Sequence, residues 1–476
     1  MFFMGKQVSK SSFYELFKFQ NKYFIKAPTP KGLVLSGGGA RGIAYPGMMR
    51  AMEEQGNLAN ITHVAGASAG AMTGSFIALG YGADEIEQLL IGLNFTNMLD
   101  RAGYTRLRAQ GKRFQNLLDL VYLIKIKKYL GEFSLSDADE SVVTAYESLA
   151  KKVKHYEDAL EGCQLEINTL RHITDLSQQH NQLERLDSAF EPLMVRTKDE
   201  DDKLTPSLRF TFSDFESLRL ILPKQQKHKI KHLTVVTTNK TKKKLVEHNN
   251  NTSANESVAA CSQASGAHPL LFSPVQNIDG DSIVDGALQD NMPSHVLEAL
   301  GLSTHEILCV ALTSELEITQ RLSIAKGSTP QTTSDMAKWL DTWFHSLIGT
   351  KICDHIANAY NREQLFYHFG NMLFLNTGDI SITDVNPTEA QKKLALDTAY
   401  KQTSAVLRNR NQSFSNAVMA MLFLDDIALD EVIRSKQNDQ QFFCCSINVK
   451  VILRHQQNIA AGLKQGSTKD VKNSIR

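Results

Sequence analysis

Ser68 stands between two glycines in the run Gly66-Ala67-Ser68-Ala69-Gly70, with a short apolar stretch, Ile61 to Ala65, before it and a helix-forming stretch, Ala71 to Leu79, after it. Only small neighbours let a chain turn so sharply from strand to helix, and the turn lifts the hydroxyl to a helix N-terminus, where positive partial charge favours a developing alkoxide. That is the setting of a nucleophile. A second glycine-rich turn, Gly37-Gly38-Gly39-Ala40-Arg41-Gly42, follows the apolar residues Leu33, Val34 and Leu35 and leads into a helical stretch from Ile43 to Glu54. Gly37, Gly39 and Gly42 also have the spacing of a dinucleotide-binding loop, which goes with an acidic residue about 20 positions further on, at the end of the next strand. Here that strand ends Val64-Ala65-Gly66, without an acid. The backbone N–H groups around Gly38 and Gly39 are read instead as an oxyanion hole facing Ser68, where losing one donor costs about 100- to 1,000-fold in rate.

A serine nucleophile needs a base. The candidate is Asp285 in Ile283-Val284-Asp285-Gly286-Ala287, which follows an apolar pair and precedes a small turn. His63 shares the strand that leads to Ser68 and so points elsewhere, which gives it a structural role. His268 lies near the Asp285 loop, within reach of the site, with a packing role before Pro269 favoured. Asp279, Asp281 and Asp290 lie near Asp285 but lack the spacing of a calcium loop, and no metal is expected. Arg41, inside the glycine turn, suits a phosphate or the turn geometry better than a surface ion pair.

The three motifs together, in this order, resemble those of the patatin-like phospholipase family: a GGGxRG or GGGxKG loop, a GxSxG elbow and a DGG or DGA motif. Val258-Ala259-Ala260, Ala264-Ser265-Gly266-Ala267-His268-Pro269, Phe272-Ser273-Pro274 and Asp290-Asn291-Met292-Pro293 extend the resemblance, which covers roughly Lys31 to Leu312. It implies an α/β fold with a mostly parallel central sheet flanked by helices, and a Ser68-Asp285 dyad without histidine that hydrolyses a phospholipid acyl ester. It further implies an oxyanion loop of Gly37, Gly38, Gly39, Arg41 and Gly42, elbow glycines Gly66 and Gly70, and an aspartate motif completed by Gly286 and Ala287, with no cofactor. A lysophospholipase or acyltransferase, and a host-protein-binding scaffold with an idle hydrolase domain, are the alternatives. The run Gly42-Ile43-Ala44-Tyr45-Pro46-Gly47 is similar to the branch of bacterial toxins injected into eukaryotic cells. That likeness implies a cytoplasmic protein of the producing cell, passed by a specialised system to host cytosol and membrane surfaces. There its phospholipase A activity would stay low until a host protein such as ubiquitin or a small GTPase binds.

Composition agrees with an intracellular enzyme. The chain has 476 residues, 42% of them apolar, and a net charge of +1, which argues against nucleic acid as a partner. Its six cysteines show no metal-ligand spacing, so reduced thiols are expected. Met1 to Lys10 lacks the apolar core of a secretory signal, so classical export is not expected.

The expected organisation is an N-terminal segment 1–30, a catalytic domain 31–408 with a helical insertion at about 105–205, and a helical region 409–476. In the insertion Val142, Tyr146, Leu149, Val153, Tyr156, Leu160, Cys163, Ile167 and Leu170 form a heptad stripe, and Ile173, Leu176, Leu183 and Leu186 continue in a shifted register. This predicts a helical hairpin, capped by Ser136 or Asp137, that packs on the catalytic domain as a cap over the site and offers a free face to an activator. Thr105 to Leu130, basic around an apolar run, reads equally as an interfacial helix at a phospholipid membrane surface or as a core helix. The lysines from Lys224 to Lys244 flank a strand at His232 to Thr238, and Glu306 to Leu312 reads as a further buried strand. Beyond it a loop at Gly327 to Ser334, a helix at Met336 to Tyr367, a closing strand and turn through Phe374 and Asp379 to Asp384, and a helix at Ala390 to Arg408 are predicted.

Overall fold

Leu33, Val34 and Leu35 are fully buried in the first strand, β1 (Gly32–Leu35), which lies within an eight-stranded sheet. The computed structural model describes residues 29–100, 108–134, 139–194, 207–269, 271–277, 279–314 and 372–408. The predicted loop at 327–334, the helix at 336–367 and the region 409–476 lie outside them. The remaining strands are β2 (His63–Gly66), β3 (His232–Asn239), β4 (Lys244–His248), β5 (Val275–Gln276), β6 (Ser282–Asp285), β7 (Ile307–Thr313) and β8 (Met372–Asn376). β3, β2, β1, β7 and β8 run parallel in that order, and β6, β5 and β4 add antiparallel pairs at the β3 end. Continuous apolar runs such as β7, buried at every position, are what strands covered on both faces require.

The register positions the chemistry. Leu35 pairs with Gly66 and Gly66 with Val235, so β1 and β2 end level and their glycine turns leave the sheet side by side. Asp285, opposite Thr237 on antiparallel β6, arrives at the same carboxyl edge from the other direction. Ligands of open parallel sheets bind at that edge.

The helix after the first turn starts as a 3-10 segment, Gly39–Ala44, and becomes α1 (Tyr45–Glu54), with Pro46 in its first turn. Ser68 leads into α2 (Ala69–Ala78), followed by α3 (Ala83–Gly92) and α4 (Lys112–Glu132). Leu118, Leu120, Val121, Tyr122, Leu123 and Ile126 of α4 are buried, Lys125 Nζ reaches Glu85 at 2.7 Å and Arg113 Nε reaches Asp187 at 2.9 Å. α4 is therefore a core helix, and the interfacial reading is set aside: its apolar face is covered by protein, and Lys112, Arg113, Lys125 and Lys127 all have intramolecular ionic partners.

The heptad stripe is real but shorter than its spacing promised. α5 (Glu140–Gly162) buries Leu149, Val153, Tyr156 and Leu160, then stops; Ile167 is buried in the connection, while Leu170 opens α6 (Leu170–Ser177), followed by α7 (His180–Met194). The cap is Asp139, which accepts the Val142 N–H at 3.0 Å, and Ser136 and Asp137 lie outside the described residues. Tyr156 stacks on Phe210 with ring centroids 4.7 Å apart. The stripe thus faces the chain's own core, as a three-helix layer against α4 and α8 (Phe212–Ile221). α9 (Val258–Ser265) lies against β3, and α10 (Glu389–Arg408) packs on α1, where Tyr400 donates to Glu54 at 2.7 Å. No described helix is long and apolar enough to cross a membrane.

Candidate active site

Ser68 has φ 53° and ψ −124°, a conformation that a non-glycine residue adopts only when its surroundings hold it there. Gly70 shows why the elbow needs glycine, since a Cβ there would lie 2.1 Å from the Leu35 carbonyl oxygen. A clamp from α9 fixes the turn from the other side. The Ser68 N–H donates to Ser265 Oγ at 2.9 Å, and that hydroxyl donates to the Val236 carbonyl of β3 at 2.6 Å.

Ser68 Oγ donates to Asp285 Oδ2 at 2.8 Å, while Asp285 Oδ1 accepts the Ala287 N–H at 2.8 Å. Asp285 is 1% exposed. Burial pushes its carboxyl up to about 7, against the pull of the Ala287 amide and the Ser68 hydroxyl, which favour the charged form. The pair is thus poised near neutrality, as a proton acceptor should be.

The glycine loop divides its amides between two tasks. Gly37 N–H donates to Asn291 Oδ1 at 2.7 Å and Ala40 N–H to the Ile382 carbonyl at 3.2 Å. The amides of Gly38 and Gly39 have no acceptor among the described residues. Gly39, at φ +54°, presses so closely on the segment after β8 that a Cβ would sit 2.0 Å from Ile382 O. Arg41 is buried and its Nε donates to the Ile380 carbonyl at 2.9 Å. Gly37 and Arg41 therefore serve the shape of the loop, while the Gly38 and Gly39 amides stay without an acceptor among the described residues. Gly42 and Gly66 lie at its packed base and in the elbow, and Gly286 and Ala287 form the turn that cradles Asp285.

The other acids go separate ways. Asp290 accepts the Met292 N–H at 2.9 Å and faces His295 at 3.2 Å, whereas Asp281 binds Lys242 at 2.6 Å. No group of three or more His, Cys, Asp or Glu among the described residues could hold a metal. His63 stacks on His232 with centroids 4.5 Å apart, and burial lowers it to about 4, so it is a packing residue and no partner of Ser68. His268 lines the cavity beside the dyad, the alternative to the favoured packing role.

Ser68 and Asp285 open into a cavity of about 360 Å³ walled by apolar side chains, among them Leu90, Phe95, Met98, Phe114 and Leu271. An apolar chain fits such a wall, and the few polar groups at its base fix orientation. The insertion reaches this cavity through Phe114, and α5–α7 contribute none of its described lining. Sequence reasoning missed Ser265 and Asn291 as working residues. Both stood in plain runs, but neither serine nor asparagine announces a backbone partner on another strand.

Residues 33–297, more than half of the chain, match the family model for patatin-like phospholipase. The crystal structure of VipD from Legionella pneumophila superimposes with a TM-score of 0.67 at 31% identity, covering 96% of this chain and 84% of that one. The uncharacterized protein YqhO of Bacillus subtilis is 43% identical over 68 residues, which span 14% of this chain and 23% of that protein. The type III effector protein ExoU aligns at 17% identity with a TM-score of 0.40, too slight a likeness to argue from.

Proposed function

The chain belongs to the patatin-like phospholipases, and from that premise we propose that it hydrolyses phospholipid acyl esters with a Ser68-Asp285 dyad. Asp285 takes the proton from Ser68 Oγ, which attacks the ester carbonyl, and the Gly38 and Gly39 amides receive the oxyanion. The proton passes from Asp285 to the departing lysophospholipid oxygen. Water, deprotonated in turn by Asp285, then releases fatty acid from the acyl-enzyme. The observation that carries the reading is the 2.8 Å contact from Ser68 to Asp285 at the base of an apolar cavity. Residues 31–408 form the catalytic domain, the described end of which, α10, returns onto α1.

The effector part of the reading rests on the Gly42-Ile43-Ala44-Tyr45-Pro46-Gly47 run and on the extended match to a bacterial protein. In it the enzyme acts at host membrane surfaces and waits for a host protein. The test is fatty acid and lysophospholipid release from mixed liposomes by the purified chain and by Ser68→Ala, each with and without eukaryotic lysate. Release by the unmodified chain, lost in Ser68→Ala and enhanced by lysate, is expected. No release under any condition removes the hydrolase reading, and equal release without lysate removes the activator.

A further inference from the structure

A glycerophospholipid whose acyl chain lies among Phe95, Met98 and Phe114 carries its phosphodiester only a few bonds from the ester under attack. That anion must therefore sit at the cavity wall or mouth. Among the described lining residues Lys392 is the only lysine or arginine. It belongs to the first turn of α10, its side chain is 13% exposed, and its Nζ donates to the Ile91 carbonyl at the end of α3 at 3.1 Å. Its ionic partner among the described residues, Glu389 at 2.8 Å, is 75% exposed, and such an ion pair is held weakly. Asp384 also lines the cavity, with Oδ1 engaged by the Asn386 N–H at 3.1 Å.

Resting on the lipid-hydrolase reading above, we propose that Lys392 is the phosphate subsite of this cavity. Ile91 aims the ammonium, a lipid phosphate displaces Glu389 from it, and the resulting charge-assisted hydrogen bond makes the enzyme select phospholipids over neutral glycerides. The bland alternative is a tie that merely fastens α10 to α3. The two differ in substrate dependence, because a tie serves every ligand alike.

Binding is measured by calorimetry in a Ser68→Ala background, which holds lipid without hydrolysing it, using dihexanoyl phosphatidylcholine, dihexanoylglycerol and inorganic phosphate. Lys392→Met is expected to weaken phosphatidylcholine binding about tenfold or more, the scale of one lost charge-assisted contact. It should leave dihexanoylglycerol within about twofold, with Lys392→Arg retaining most of the affinity. With Ser68 restored, the Lys392→Met loss appears in KM rather than kcat. Equal weakening toward both lipids, unchanged phosphatidylcholine binding, or Lys392-dependent binding of inorganic phosphate alone overturns the proposal. Lys392-dependent lipid binding without any hydrolysis by the unmodified chain, with or without eukaryotic lysate, leaves the subsite standing and sinks the hydrolase reading instead.

Discussion

Asp285 can serve as a base only when ionised, and its buried position makes ionisation costly. The raised value of about 7 has two consequences of opposite sign. In the proposed mechanism activity requires the carboxylate, so kcat/KM is expected to rise with pH through about 7 and level off above it. Stability moves the other way. A carboxyl raised above its unfolded value favours the folded state while protonated, and that contribution is lost as pH climbs from the ordinary carboxylate range to about 7. Asp285→Asn keeps the shape and removes the charge. Its activity should fall at least about 1,000-fold, as expected when a dyad loses its base. Its stability advantage over the unmodified chain should grow by about 1.4 kcal/mol per pH unit across that window. Urea titrations at several pH values read the second effect; an advantage that does not change with pH would mean that Asp285 titrates in its ordinary range.

At the scale of elements, two contacts hold the strained pieces: α9 grips the elbow through Ser265, and the turn after β6 grips the glycine loop through Asn291. Ser265→Ala leaves the buried Ser68 N–H without an acceptor, and Asn291→Ala does the same for Gly37. Each should cost roughly 1–3 kcal/mol of stability and about 10-fold or more in kcat, with KM for a short soluble ester little changed, because geometry is lost while the apolar wall is kept. Steady-state kinetics together with thermal unfolding would show it, and unaltered kcat in both variants would assign the clamps to folding alone. Motif glycines and the Ser-Asp pair were legible because chemistry and steric demand restrict them to few residue types at few spacings. The clamps were not, since many polar residues can accept an N–H, and which one does so depends on strand order. The same limit explains α5. Periodicity marked the buried face correctly through Leu160, but the apolar positions after Gly162 kept a similar spacing although the helix had already ended.

Over the whole molecule the sheet edge draws together residues far apart in the chain, and α4 of the helical insertion is joined to the segment before α8 by a buried ion pair as well as by apolar contact. Arg209, just before α8, donates through Nε to Asp119 of α4, through Nη1 to Gln115 at 2.7 Å and through Nη2 to Asn116 at 3.1 Å. Neither Asp119 nor Arg209 was legible as a partner, because they are 90 residues apart and nothing in the sequence says which arginine reaches α4. Both are buried, so removing one leaves the other charged, desolvated and without its counter-ion. Asp119→Ala should therefore destabilise by about 3–5 kcal/mol, whereas Asp119→Leu combined with Arg209→Met should recover most of that loss, because neither charge then remains buried. Neither residue lines the cavity, so folded protein of either variant should keep its rate on a short ester at low temperature. If the double variant is no more stable than Asp119→Ala, the pair contributes through its wider hydrogen bonds to Gln115 and Asn116, and the link between insertion and core is a polar network that cannot be replaced by apolar packing.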